Sequence, residues 1–171
     1  MEEPVMALVK RRVLYIGTSV SLETSDGLEA VQKPLCDRYP VGENDQLVVQ
    51  AIETNLIVLN TGFQIQFIEE PDASVFFPFS SLTFCAAVRP VTEVNAPSGE
   101  VMTKFVSLNS ELTSQNTKNP AIFTAITRHT NGKTLECHGF ICSSDKDALD
   151  IVKTTTMAHI RMRRNTAMRD K

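Results

Sequence analysis

The sequence predicts an α+β protein that is mainly β: a β-sandwich or partly open barrel of about seven antiparallel strands, capped by a C-terminal helix. Short β-branched and aromatic runs alternate with turn residues, and sequential strands joined by short turns form antiparallel sheet. Helical periodicity dominates only the last segment, so that helix is expected to cover the open side. With 171 residues, 42% hydrophobic and 22% charged, the chain is expected to be one domain with a sizeable core.

The first half of the chain contains a strand, a helix and then a series of strands. The first strand is expected over Arg12–Leu22, and Thr24–Asp26 offers helix N-cap chemistry before an apolar stretch ending at Tyr39–Pro40. Pro34 falls inside that stretch, so it either kinks the helix or begins a second short one. Pro78 indicates an edge strand or a bulge. The strands are predicted at Leu47–Ile52, Leu56–Leu59, Phe63–Ile68, Val75–Phe79 and Leu82–Val88.

The second half begins with an irregular segment. Residues 89–120 are rich in Pro, Gly, Ser, Thr and Asn, and are predicted to form a long inserted loop, to which Val101–Leu108 could add a strand. Two further strands, Ile122–Thr127 and Leu135–Cys142, flank an Asn131-Gly132 pair that is typical of a hairpin.

The C-terminal helix is expected to begin near Ser143–Asp145. Helical spacing places one set of residues on its first face: Ala148, Val152, Thr155, His159 and Met162. A second face carries Asp150, Lys153, Thr154, Met157, Arg161 and Arg164. The single domain is expected to span residues 1–171, with its core over about 12–164 and a basic tail at 165–171.

Charge is unevenly distributed along the chain. Residues 151–171 hold six basic residues and one acid, a net +5, whereas residues 1–150 hold 11 basic and 19 acidic residues, a net −8. The basic end suits the C-terminal dipole of a helix followed by a solvated tail, or a weak contact with anionic lipid. The candidate lipid-binding residues are Lys10, Arg11, Arg12, Arg163 and Arg164. An overall charge of −3 argues against a general polyanion binder, and no nucleic-acid partner is expected.

Several classes of protein do not fit the sequence. There is no run of roughly 18 apolar residues that would suit a membrane span, and Met1–Lys10 does not resemble a secretory signal. The four cysteines lack the close pairing of a disulfide framework or a zinc site, so a reducing intracellular compartment and no metal or cofactor are expected.

Enzymatic chemistry has little support in the sequence, which lacks the common phosphate-loop, dinucleotide-binding, metalloprotease and nucleophile-elbow motifs. Cys137 and His138 are adjacent in a strand, so their side chains point to opposite faces and cannot form a nucleophile–base pair. A pair formed by Cys137 and His129 remains open, and the chain is interpreted as non-catalytic.

The strand Leu82–Val88 is the most informative segment. Its alternation places Leu82, Phe84, Ala86 and Val88 on one face and Thr83, Cys85 and Ala87 on the other. Small side chains let another backbone come close, as β-augmentation by an extended peptide requires. A central strand beneath the helix would have the same composition, and both interpretations stay open at this point.

Five fragments, taken in order, resemble phosphotyrosine-binding (PTB) domains of the Disabled and Numb type. They are Tyr15-Ile16-Gly17, Leu82–Ala87 (LTFCAA), Ile122–Arg128 (IFTAITR), Cys137–Phe140 (CHGF) and the helix from Asp145 with Ala148, Ile151, Thr155 and Met157. The resemblance runs from about Val13 to Arg163. Val88-Arg89 replaces the acid that usually follows the Cys-Ala-Ala run in the family.

The resemblance implies a pleckstrin-homology-like (PH-like) fold and a cytoplasmic, sometimes membrane-proximal, adaptor function. Ligand peptides of the Asn-Pro-x-Tyr type add antiparallel to the strand Leu82–Val88, in a groove beside the C-terminal helix. The implied peptide-binding residues are Thr83, Phe84, Cys85, Ala86, Ala87, Val88, Lys153, Thr154, Met157 and Arg161. The alternative is a phosphoinositide- or scaffold-binding PH-like module whose groove is occluded by the 89–120 loop.

Phosphate recognition requires a well-held arginine. The candidates are Arg38, Arg89, Arg128 and Arg163, and none falls in a motif that assigns it this role. Because relatives of the Disabled type generally accept unphosphorylated peptides, binding without tyrosine phosphorylation is expected.

Overall fold

Eight strands and two α-helices make up the described part of the protein. The computed structural model describes residues 4–21, 28–38, 51–95, 97–110, 119–129 and 134–169. The elements are β1 (Ala7–Ser21), α1 (Glu29–Arg38), β2 (Ile52–Leu59), β3 (Gly62–Phe67), β4 (Ser74–Pro78), a 3₁₀ turn (Phe79–Ser81), β5 (Leu82–Asn95), β6 (Glu100–Ser107), β7 (Ile122–Arg128), β8 (Leu135–Ile141) and α2 (Asp145–Arg169).

All eight strands belong to one antiparallel sheet in the order β4-β3-β2-β1-β8-β7-β5-β6. The sheet is not closed, because β4 and β6 are its two edge strands. The predicted α+β, mainly β class with a C-terminal helix is therefore confirmed, with eight strands in place of about seven. Pro78 ends the edge strand β4, where the missing backbone donor breaks no ladder.

The prediction of a long irregular loop over residues 89–120 is wrong for residues 89–95, which belong to a strand. The strand that Val101–Leu108 could add is present as β6, and residues 111–118 lie outside the described residues. Residues Arg89–Asn95 continue β5, and they pair with Glu100–Ser107 of β6 in an antiparallel hairpin. Gly99 lies in the connecting turn with a φ of 73°, a conformation that glycine adopts without strain. Pro90 suggested a loop in the sequence, yet it sits within β5 opposite Phe105.

The curved sheet has a hydrophobic core on each face. The first core lies between the two halves of the sheet and is closed by α2; its largest members are Leu56, Phe63, Ile65, Phe79, Phe123, Phe140 and Ile151. The second lies beneath α1 and includes Ile16, Val31, Leu35, Val88, Phe105, Ile122 and Ile126. Two faces of the same strands are thus covered by different helices, which explains the almost continuous burial of β7.

α1 runs as a single helix through Pro34, and α2 extends to Arg169, into the segment expected to be a tail. Three predictions lie outside the described residues: the capping residues Thr24–Asp26, the start of the strand predicted at Leu47–Ile52, and the Asn131-Gly132 turn. Within the described ranges, neither helix is long and apolar enough to cross a membrane.

Candidate functional site

β5 changes its pairing partner halfway along its length. β7 pairs with Leu82–Val88 on one side, and β6 pairs with Val88–Asn95 on the other. Over the described residues, the segment Leu82–Ala86 therefore has a strand neighbour on one side only. The strand order places β5 between β7 and β6, but among the described residues no strand pairs with the second edge of Leu82–Ala86, which is therefore an open edge.

The direction of the backbone groups at this edge follows from one hydrogen bond. The amide of Leu108 donates to the carbonyl of Ala87 at 3.1 Å, so the Ala87 carbonyl points to the β6 side. Backbone groups alternate along a strand, and hence the N–H and C=O of Cys85 point to the same open edge. Those of Phe84 and Ala86 point to β7.

A β-bulge at Thr83 corrects the predicted alternation of side chains. The register with β7 shifts between Leu82 and Phe84, and the Thr83 hydroxyl donates to the Ile126 carbonyl at 3.2 Å. The extra residue moves Leu82 to the first core, on the side of Cys85 and Ala87. Phe84 and Ala86 pack on the second core instead.

α2 lies beside this open edge and runs antiparallel to β5. Its first residue, Asp145, forms an ion pair with Arg89 in the middle of β5. Further along the helix, the Thr156 hydroxyl lies 3.7 Å from the Cys85 thiol. Further still, the His159 ring packs 5.6 Å from the ring of Phe79, which precedes β5. These three contacts fix both the position and the direction of the helix.

The same contacts define which flank of α2 faces β5. Thr156 and His159 share their flank with Val152 and Arg163, because helix neighbours recur at three or four residues. We call the space between the open edge Leu82–Ala86 and this flank the β5–α2 groove. Val152 is partly buried against the first core, and Thr156 is exposed beside Cys85.

Two of the helix residues predicted for the site lie on the opposite flank. Arg11 of β1 lies 3.2 Å from Asp147 and 3.8 Å from Asp150, measured from guanidinium nitrogen to carboxylate oxygen. Thr154 and Arg161 follow these acids at helical spacing and face away from β5.

The other two, Lys153 and Met157, lie on the outward face between the flanks, where Met157 is 61% exposed. The sequence missed Val152, Thr156 and His159 because the rotation of a helix about its axis depends on contacts that are distant in sequence.

The candidate phosphate-binding arginines are widely separated. Arg89 is buried, with 7% of its side chain exposed; its Nε donates to the Asn119 carbonyl at 2.9 Å, and its terminal nitrogen pairs with Asp145. This guanidinium is therefore engaged within the protein. Arg128 is exposed at the end of β7 and Arg163 is exposed on α2, whereas the side chain of Arg38 lies outside the described residues.

The candidate lipid-binding residues form two clusters, and acids accompany one of them. Arg11 contacts Asp147 and Asp150, and Arg12 pairs with Glu53 at 2.9 Å, while Lys10 is exposed nearby. Arg163 and Arg164 lie about 20 Å further along α2 than Asp150, from a rise of about 1.5 Å per residue. The two clusters are thus not one continuous patch.

A buried histidine connects the strands at the centre of the sheet. His138 is fully buried; its Nδ1 lies 2.7 Å from the Thr18 hydroxyl and its Nε2 2.8 Å from the Thr127 hydroxyl. The ring also packs 4.5 Å from the ring of Phe77. Both partners can donate or accept, which suits a neutral imidazole. Burial lowers the pKa of His138 to about 4.

The thiols have little nucleophilic character. Cys137 lies in the second core with its sulfur 3.3 Å from the Thr124 hydroxyl, and burial raises its pKa to about 11. Burial likewise raises the pKa of Cys85 and that of Cys142, the latter to about 12. His129 is exposed, and its Nε2 lies 3.8 Å from Glu136. Thiolates are the reactive form, so this arrangement disfavours nucleophilic chemistry.

No group of three or more metal-ligating side chains is present in the part of the chain that the structure describes. Comparison with models of known protein families finds no match for this chain, and comparison with curated proteins finds none either. The geometry of the β5–α2 groove therefore carries the functional interpretation.

Proposed function

We propose that this protein is a non-catalytic adaptor domain of the PTB type, with a PH-like fold, that binds an extended peptide in the β5–α2 groove. The observation that carries the proposal is the half-paired strand β5, whose open edge over Leu82–Ala86 lies beside a helix. A peptide strand added there would continue the antiparallel sheet in line with β6. Such β-augmentation draws affinity from main-chain hydrogen bonds and specificity from side-chain contacts.

The local chemistry supports this mode of binding. Cys85 presents a backbone donor and a backbone acceptor to the open edge, because its N–H and C=O point the same way as the Ala87 carbonyl that accepts from Leu108. The side chains of Cys85, Ala86 and Ala87 are small, so an incoming backbone can approach closely. Thr156 and Val152 supply a wall of short side chains on the helix, against which alternate residues of the peptide would pack.

We further propose that the ligand contains an Asn-Pro-x-Tyr-like motif from a receptor tail or signalling protein in the cytoplasm, and that binding does not require phosphorylation. Arg89, the candidate arginine within β5 itself, is buried and paired with Asp145, so it is not free to hold a phosphate. The alternative of a lipid-binding module is less favoured, because Arg11 and Arg12 already face acids.

The direct test is a titration with a fluorescein-labelled peptide in which an Asn-Pro-x-Tyr motif follows a run of strand-forming residues. Fluorescence polarisation would measure its Kd, with the tyrosine and phosphotyrosine forms compared. Cys85→Pro removes the donor at the open edge, and we expect it to weaken binding by at least about tenfold. Cys85→Ala removes the thiol but keeps the donor, and it should bind like the parent.

A second pair of variants tests which flank of the helix lines the groove. Thr156→Glu places a charge beside Cys85, whereas Met157→Glu places the same charge on the outward face. We expect the first to weaken binding more than the second. Circular dichroism and thermal unfolding would establish that each variant is folded. If the folded Cys85→Pro and Thr156→Glu variants bind as tightly as the parent, the groove is not the binding site.

A further inference from the structure

The charges of α2 are segregated along the helix. Its first two turns contain the acids Asp145, Asp147 and Asp150, of which the first pairs with Arg89 and the other two contact Arg11. From residue 151 to residue 165 the helix has no acid and four cations: Lys153, Arg161, Arg163 and Arg164. Lys153 follows Asp150 at helical spacing, whereas Arg161, Arg163 and Arg164 have no acid within four residues on their own helix.

This cationic half lies at one end of the β5–α2 groove. Because α2 runs antiparallel to β5, its later turns extend past Leu82 and over the 3₁₀ turn, where His159 packs on Phe79. Arg163 shares the flank of His159, and the pKa of that histidine is lowered by burial and, to a smaller extent, by the positive charge of Arg163. Arg164 is exposed on the adjacent outward face. The groove thus ends in a positive surface next to the start of β5.

The direction of an added strand decides which end of a ligand meets this surface. An added strand that is antiparallel to β5 runs from the level of Ala87 towards Leu82. Its later residues leave the sheet beside His159 and Arg163. We infer that the protein selects peptides with acidic residues after the Asn-Pro-x-Tyr motif, in the part of the ligand that leaves the sheet, so that Asp or Glu side chains meet Arg163 and Arg164. This inference rests on the proposed function, and names the chemistry of its ligand.

The position of these cations favours a peptide over a membrane as their partner. A membrane contact would be strengthened by a broad basic surface, but the other basic cluster, Lys10–Arg12, lies near the opposite end of α2 and is accompanied by acids. Arg163, in contrast, lies on the same flank as Thr156, within the groove. Charge complementarity of this kind contributes mainly specificity and a faster association rate.

The test uses three labelled peptides that share one unphosphorylated Asn-Pro-x-Tyr core. The first has a four-residue Asp/Glu extension after the core, the second has Asn/Gln in place of those acids, and the third has the Asp/Glu extension before the core. We expect the first peptide to bind roughly tenfold more tightly than the second at low salt, since each exposed ion pair contributes up to about fivefold. Added salt should reduce this preference.

Two double variants test whether the preference depends on the cations of α2 or only on the net charge of the protein. Arg163→Gln with Arg164→Gln should abolish the preference for the first peptide over the second. Lys10→Gln with Lys146→Gln removes the same total charge at the other end of α2 and should leave the preference intact. Because all four residues are exposed, we expect both double variants to fold, and circular dichroism would check this.

The outcomes distinguish the possibilities. If the first two peptides bind equally to the parent while Cys85→Pro abolishes both, the proposed function stands and this inference fails. If only the third peptide gains affinity, the proposed orientation is wrong and the inference fails. If the Arg163/Arg164 variant loses binding to phosphatidylserine vesicles but keeps its peptide preference, the cations serve a membrane and the inference fails. If none of the peptides binds the parent, the proposed function and this inference fail together.

Discussion

Protonation of His138 should destabilise the protein in a defined pH interval. The pKa of this histidine is lowered from 6.5 to about 4 by burial, so below pH 6.5 the unfolded chain binds a proton that the folded protein does not. The contribution of neutral, buried His138 to the free energy of unfolding is therefore fully present above pH 6.5 and is lost as the pH falls towards 4. One pKa unit corresponds to about 1.4 kcal/mol, which gives a loss of about 2–3 kcal/mol between pH 7 and about pH 4.5.

The measurement is the free energy of unfolding by urea denaturation across this interval, for the parent and for His138→Gln. The variant cannot take up this proton on unfolding, so its free energy of unfolding should fall about 2–3 kcal/mol less than that of the parent, although it starts lower at neutral pH. Equal losses of unfolding free energy in the parent and in His138→Gln over this interval would show that His138 does not cause the pH dependence.

Three other predictions concern the framework around the groove. Asp145→Asn should lower the free energy of unfolding by about 2 kcal/mol, because it leaves the buried cation of Arg89 without its carboxylate. Arg89→Met should cost less, because the Asp145 carboxylate that it leaves is more than half exposed. Urea denaturation measures both losses, and the opposite order would contradict this prediction. Gly62→Ala should destabilise by about 3 kcal/mol, since its Cβ would collide with a backbone carbonyl of β4. Gly99→Ala meets open space but strains a positive φ, at a cost of about 1 kcal/mol, so its loss should be smaller; equal melting temperatures would count against this order. The thiols of Cys137 and Cys142 should react with iodoacetamide at about pH 8 only after the protein unfolds, as mass spectrometry would show. Rapid labelling of these thiols in the native protein would disprove their burial.

Local patterns predicted most of the sheet correctly. Phe63–Ile68 corresponds to β3 within one residue at each end, but Leu56–Leu59 forms only the second half of β2, which begins at Ile52. The break expected between Leu47–Ile52 and Leu56–Leu59 is therefore wrong. The segment Ile122–Thr127 falls within β7. Runs of β-branched and aromatic residues indicate strands reliably where a turn residue bounds each side.

Local patterns did not predict how the strands pair or how α2 is rotated about its axis. Pro90 lacks a backbone donor and indicated a loop, yet β5 continues through it and its carbonyl accepts a hydrogen bond from the Asn119 side chain at 2.6 Å. The bulge at Thr83 reversed the face expected for Leu82. Each of these features depends on a partner that is distant in sequence, which a pattern within one segment does not contain.

The switch of partners in β5 and the position of α2 have a common anchor. At Val88, the strand that pairs with β5 changes from β7 to β6. The side chain of the next residue, Arg89, donates a hydrogen bond to the Asn119 carbonyl and forms an ion pair with Asp145, the first residue of α2. The anchor therefore sets where the helix begins relative to the open half of β5. Since one buried cation both stabilises the fold and positions the helix wall, a variant that breaks this ion pair should weaken peptide binding even under conditions where the protein remains folded.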